Sequence, residues 1–188
     1  MEYFELLNMD GTPAGKVKER NQVHKDGDLH GGSHIWVIRK TDMGIEILLQ
    51  KRSKDKDSFP GCFDISSAGH VAKGEDFLST AVREIKEELN LTVKEENLTF
   101  LFSQYVEGHY VFHNETFFNR EINYVYLLNL DVSLDDLKFQ EEEIEGLKWM
   151  DARELKGVVQ SGDENYCIWK EEYEKLYQYL QNENIIEH

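Results

Sequence analysis

The chain is poor in cysteine, short of positive charge and without a long apolar run. Its two cysteines, Cys62 and Cys167, stand far apart in 188 residues. That excludes a disulfide framework and leads us to expect free thiols in a reducing cytosol. Residues 1–5 lack the basic segment that opens a secretory signal. No apolar stretch approaches membrane-spanning length, so a cytoplasmic protein with no membrane partner is expected. No internal repeat is visible. Lysine and arginine number 21 against 37 aspartates and glutamates, a formal net charge of −16. This deficit argues against a nucleic-acid duplex as partner. An anionic substrate would need metal ions or local cations in order to approach.

What is present suits a globular chain: 40% of residues are hydrophobic and 12% aromatic. The length fits a single domain with a full core. Within it, residues 1–32 read as an N-terminal hairpin and a histidine-containing segment, 33–180 as the core and 181–188 as a loose tail. Residues 4–7 and 16–18 form the hairpin strands, with turn formers between them. Residues 20–34 read as a polar loop bearing His24, His30 and His34, where histidines are ordinarily solvated. Strands are expected at 33–39, 45–52, 64–68, 98–102, 105–112, 121–130 and 146–150. Tyr124 and Tyr126 alternate at period two and read as sheet packing. Asp151 is placed to cap a helix, and a last amphipathic helix is expected over about 165–180.

The densest chemistry lies between Gly69 and Leu91. On a helix turning about 100° per residue, Glu84, Glu87 and Glu88 share one arc. Leu78, Ala81, Val82, Ile85 and Leu89 form the neighbouring apolar stripe. The carboxylates therefore sit at the edge of a buried face. Glu84 and Glu88 repel each other at i,i+4, and all three acids lie near the negative end of the helix dipole. Arg83 is one charge, and Lys86 points elsewhere. A hard divalent cation would resolve the conflict, because Mg²⁺ prefers carboxylate oxygens with water and phosphate. A solvated acidic face is the other reading. Lys51, Arg52, Lys54 and Lys56 make the one dense basic cluster; it reads either as a surface loop or as a phosphate-contacting segment.

Gly69, Glu75, Arg83-Glu84-Ile85, Glu87-Glu88 and Leu91 have the spacing G-x5-E-x7-R-E-U-x-E-E-x-x-U, with U aliphatic. This resembles the Nudix box, with Asn90 in the place of the family's last glycine. Asn is the next-best residue for the left-handed conformation wanted there. The resemblance implies an α/β fold, the Nudix α/β/α sandwich with a mixed sheet, here with the N-terminal β-hairpin added. It implies hydrolysis of a small-molecule diphosphate, such as a nucleoside diphosphate derivative, with Mg²⁺ (or Mn²⁺) on Glu84, Glu87, Glu88 and the Gly69 carbonyl. Arg83 would keep the carboxylates in register, and Glu75 would orient the loop or pair with Arg83. The general base is expected to be a box glutamate such as Glu87, or Glu142 or Glu143. Arg52 or Lys51 would meet phosphate. Monomer and homodimer both remain open.

His24, His30 and the Gly69-His70 pair also resemble isopentenyl diphosphate isomerase and the hydrolases nearest to it. That similarity implies a possible second metal site on His24, His30, His70 and Glu121, with Asn119 standing where the other acid would align. The isomerase carries a catalytic cysteine directly before the Gly-His pair. Here that residue is Ala68, and the box is intact; both departures favour hydrolysis. A catalytically silent ligand-binding protein is the third reading.

Overall fold

A computed structural model describes residues 2–56, 58–112 and 115–186. Strand β3 (His30–Thr41) is the axis of the fold. Successive side chains of a strand point to opposite faces, and β3 is apolar on both. Trp36 and Ile38 enter one core cluster, and Ile35 and Val37 enter the other. A strand buried on both sides needs helices on both sides. Helix α2 (Phe77–Leu89) covers one face with Ala81, Ile85 and Leu89. Helices α3 (Ala152–Ser161) and α4 (Lys170–Asn182) cover the other with Leu155, Tyr173, Leu176 and Leu180.

The sheet also contains β4 (Gly44–Arg52), β5 (Phe63–Asp64), β6 (Ser67–His70), β7 (Leu98–Phe112), β8 (Glu115–Asn129) and β9 (Ile144–Asp151). Its order is β5-β4-β3-β8-β7, with β6 also paired to β3 and β9 to β4. The β3–β8 pair is parallel and the others are antiparallel. The result is the expected α/β/α sandwich with a mixed sheet. The N-terminal hairpin is also present, as β1 (Tyr3–Leu7) and β2 (Pro13–Glu19). No helix among the described residues is long and apolar enough to cross a membrane.

Local chemistry sets the ends of α2. Asp76 accepts from the Ser79 amide while the Ser79 hydroxyl bonds back to the Asp76 backbone, a reciprocal cap. Asn90 closes the helix in the left-handed region at φ 53°, the conformation for which Asn stands in for glycine. Asp151 caps α3 as expected, accepting from the Arg153 and Glu154 amides.

Several boundaries differ from the sequence reading. Residues 20–26 are a helix, α1 (Arg20–Asp26), not a loop; Glu19 caps it and Gly27 ends it at φ 68°. Seven residues are too few for helical periodicity to stand out. Residues 98–112 form one strand with an irregularity between Phe100 and Phe102, because the break lies in the pairing and not in the chain. Strand β8 starts at 115 and extends the hairpin beyond the core. Residues 165–169 are not helical: Asn165 and Cys167 bond Phe63 through the backbone, so α4 starts only at Lys170. Ile185 and Ile186 pack on the core beyond α4.

Ile85 is fully buried and anchors α2 to the sheet. Ile85→Ala is expected to cost about 2–5 kcal/mol, read as a lower urea midpoint. An unchanged midpoint would mean that this face of α2 does not hold the helix.

Candidate active site

Anchoring Ile85 and Leu89 in the core turns Glu84 and Glu88 inward along the edge of the same face. Glu88 is buried, and one of its oxygens accepts from the Ala68 amide at 3.1 Å. Glu84 lies directly over Gly69, where any Cβ would collide with its carboxylate. A side chain at 69 would therefore displace the Glu84 carboxylate. Burial and then the nearby Glu88 charge push the Glu84 carboxyl up to about 8; burial also raises Glu88. Glu87 is the exposed member, about half open to solvent.

Arg83 ties this group together. Its Nε and Nη2 donate to Glu75 at 3.1 Å, and its Nη1 donates to Glu84 at 2.7 Å and Glu87 at 2.9 Å. The same Nη2 reaches the His70 carbonyl at 3.2 Å. One guanidinium therefore serves three carboxylates and the β6 backbone, a use of the planar fork that lysine cannot reproduce.

The carboxylates open into a cleft of about 360 Å³ that Arg52, Lys56, Asp64 and Glu143 also line. Arg52 is held by Asp64 at 3.0 Å and by the Ser58 carbonyl and hydroxyl. Lys56 pairs with Glu143. Lys51 is outside the cleft lining and pairs with Glu145 at 3.1 Å. Lys56, which the sequence reading grouped with Arg52 without singling it out, is the lysine of that cluster in the cleft.

At the other end, His24, His30, His70 and Glu121 bring one ligand atom each within 4.8 Å of one another. His24 is on α1, His30 opens β3, His70 closes β6 and Glu121 is on β8. The parallel register sets His30 beside Glu121. His24 Nδ1 lies 3.0 Å from the Arg20 carbonyl and His30 Nδ1 lies 2.9 Å from the Asp28 carbonyl. Each Nδ1–H therefore donates to backbone, which leaves the Nε2 lone pair facing inward. Both of these Nε2 atoms are buried without a hydrogen-bond partner. His70 Nε2 is 3.0 Å from Glu121 Oε1. Burial and then the neighbouring histidines lower the His24 imidazole to about 3. Burial acts to raise the Glu121 carboxyl, but the neighbouring His30 and His70 imidazoles outweigh it and hold the group well below its usual range. Two orphaned imidazole nitrogens beside an ionised carboxylate form a donor set that fits a divalent cation.

His24 and His30, read as solvated, are thus buried, and the reason lies in rings far away in sequence. Phe4 from the N-terminal hairpin stacks on His30 and His70 at 5.2 and 4.7 Å, and Phe117 stacks on His24 at 4.2 Å. Asn119, Glu121 and Asn123 all line the cleft. Asn123 donates to Glu121 at 3.1 Å, while its own Oδ1 is buried without a partner. No short-range pattern announces Phe4, Phe117 or Asn123; only the tertiary pairing brings them in.

The model of the NUDIX domain matches residues 30–169. The chain belongs to the Nudix family. Nudix hydrolase 3 of Arabidopsis thaliana is 36% identical over 180 residues, which is 94% of this chain and 23% of that protein. The chain thus spans about a quarter of that relative's length. An isopentenyl-diphosphate Delta-isomerase of Aliivibrio fischeri is 25% identical, covering 97% of this chain and 99% of its own. The crystal structure of DR0079 from Deinococcus radiodurans superposes with a TM-score of 0.66 at 20% identity, over 86% of this chain and 90% of that one. The first of these relatives is named a Nudix hydrolase, and divalent-metal use is a general trait of Nudix hydrolases.

In this Nudix box Arg83 is the shared partner of three acids. Arg83→Lys is expected to lower stability by about 1–3 kcal/mol, measured by urea unfolding in EDTA. Equal stability in EDTA would show that the fork geometry is dispensable.

Proposed function

We propose that the cleft hydrolyses the diphosphate linkage of a nucleoside diphosphate derivative or similar organic diphosphate. One observation carries this reading: Glu84, Glu87 and Glu88 converge beside the Gly69 backbone, with Arg83 bonded to Glu84 and Glu87. Glu84, Glu87, Glu88 and the Gly69 carbonyl would hold Mg²⁺ or Mn²⁺. Bound there, the ion would neutralise the diphosphate and acidify a water molecule. Arg83 holds the carboxylates in register, and Glu75 in turn holds Arg83. Glu87, the exposed box acid, is open to accept a proton from the attacking water. Glu143 is the second candidate base, on the opposite wall and paired with Lys56. Arg52 and Lys56 face the cleft as the phosphate-contacting cations, and Arg52 has the planar fork that suits a phosphoryl group. His24, His30, His70 and Glu121 would hold a second divalent ion at the far end.

The isomerase reading is supported by the histidine cluster and by the isomerase relatives. Against it, Ala68 has no proton to give. Cys62 is outside the cleft lining, with its thiol 3.5 Å from the Glu164 carbonyl. Cys167 lines the cleft, but burial pushes its thiol far up and makes it a poor proton donor.

Glu87→Gln and Glu88→Gln are each expected to lower turnover about a hundredfold or more with Mg²⁺. The assay is a panel containing ADP-ribose, diadenosine tetraphosphate and isopentenyl diphosphate. Unchanged turnover would remove the hydrolase reading, and dimethylallyl diphosphate as the product would replace it with the isomerase. For the second site, His30→Gln is expected to lower bound Mn²⁺ by one ion per chain in elemental analysis. Equal metal content in variant and wild type would refute it.

A further inference from the structure

One charged cluster in the cleft belongs to neither metal-binding group. Glu172, in the first turn of α4, is 1% exposed. It accepts three hydrogen bonds from three directions: His34 Nδ1 at 2.8 Å, Trp36 Nε1 at 2.8 Å and Gln104 Nε2 at 2.5 Å. These donors come from β3 and β7, so the sheet and the terminal helix build this site together. Trp36 and Gln104 are neutral. A carboxylate buried this deeply needs a positive partner, and His34 supplies one. Burial alone would lower the imidazole, but the Glu172 charge and hydrogen bond outweigh it and lift His34 to about 9.

The ring is oriented as well as charged. Nδ1 is committed to Glu172, which leaves Nε2 on the other side, with no hydrogen-bond partner among the described residues. His34 pairs with Ala68 across β3 and β6 and lines the same cleft as Glu84, Glu88, Cys167 and Trp169. Ala68 adds little bulk at that point. The other cations lining the cleft are already engaged by acids: Arg52 by Asp64, Lys56 by Glu143, Arg83 by the box and Arg20 by Glu2.

We propose that His34 and Glu172 form an anion-recognition pair, in which Glu172 fixes the ring and His34 Nε2–H binds an anionic oxygen of the substrate. This rests on the cleft being the diphosphate site. The oxygen belongs either to the diphosphate itself or to a further charged group attached to it. His34 is thus a recognition residue, and Glu172 is a positioning residue that acts through it.

The test is binding, so it does not depend on turnover. Calorimetry with Ca²⁺ in place of Mg²⁺ would compare inorganic pyrophosphate with ATP as probes. His34→Gln is expected to weaken pyrophosphate binding by about ten- to a hundredfold, the range for a hydrogen bond to a charged group. Weakening of ATP alone would assign the oxygen to the attached group instead. Glu172→Gln keeps the ring but removes its counter-charge, and it is expected to act in the same direction. In the wild type, pyrophosphate should shift the ¹⁵N resonance of His34 Nε2, which a structural histidine would not show. If neither variant changes either affinity, or the wild type binds neither probe, the proposal is overturned. Binding without turnover of any diphosphate would instead sink the hydrolase reading and leave this one standing.

Discussion

The structure depends on an electrostatic conflict that its own core enforces. Glu84 and Glu88 flank Ile85 and Leu89 on α2, and those two side chains are fully buried under the sheet. The helix cannot rotate its acids toward water without pulling its apolar stripe out of the core. Carboxylates that would separate freely on an exposed helix are therefore held together, with Glu84 pushed up to about 8. Hydrophobic burial is worth several kcal/mol over such a stripe, and it holds the two acids at its edge although burial disfavours their charge. Packing wins, and the acids are held together where a cation would relieve them.

The same logic recurs at the histidine cluster, with aromatic rings in place of a helix. Phe4 and Phe117 stack on three of the four donors, shutting out water that would otherwise satisfy the orphaned nitrogens. The N-terminal hairpin is thereby tied to the site's geometry. Its Phe4 also bridges to Ala72, and the Tyr3 carbonyl accepts from Lys73, next to the turn that leads into α2. A segment that reads as an appendage in sequence packs against the histidine cluster.

Helix periodicity and carboxylate spacing made α2 and its acids legible, because both are short-range signals. The strands of the sheet were legible from alternating or continuous apolar runs. The burial of His24 and His30 was not, since it depends on a helix of seven residues and on rings about 20 and 90 positions away. Lys51 and Lys56 looked alike in a basic loop; only the fold decides that Lys56 faces the cleft and Lys51 faces Glu145. Glu172 fell within the amphipathic helix expected over about 165–180, which gave its position but not its partners. Its partners His34, Trp36 and Gln104 lie 138, 136 and 68 residues away, beyond any local pattern.

These elements together determine how an acidic chain can admit an anionic substrate. A net charge of −16 repels phosphate at long range. Within the cleft, Arg52, Lys56 and Arg83 each arrive paired with an acid, so they offer directed hydrogen bonds more than net positive charge. A diphosphate entering alone would have to displace Asp64 or Glu143 and then face three box carboxylates. A divalent ion between the box and the diphosphate would remove the second penalty, because it would cancel charge on each side. On the proposed function, binding of anion and cation would therefore be coupled, each making the cleft hospitable to the other. Selectivity against free phosphate-bearing molecules can then arise without a bulky gate, from the demand that charge be balanced before the substrate settles.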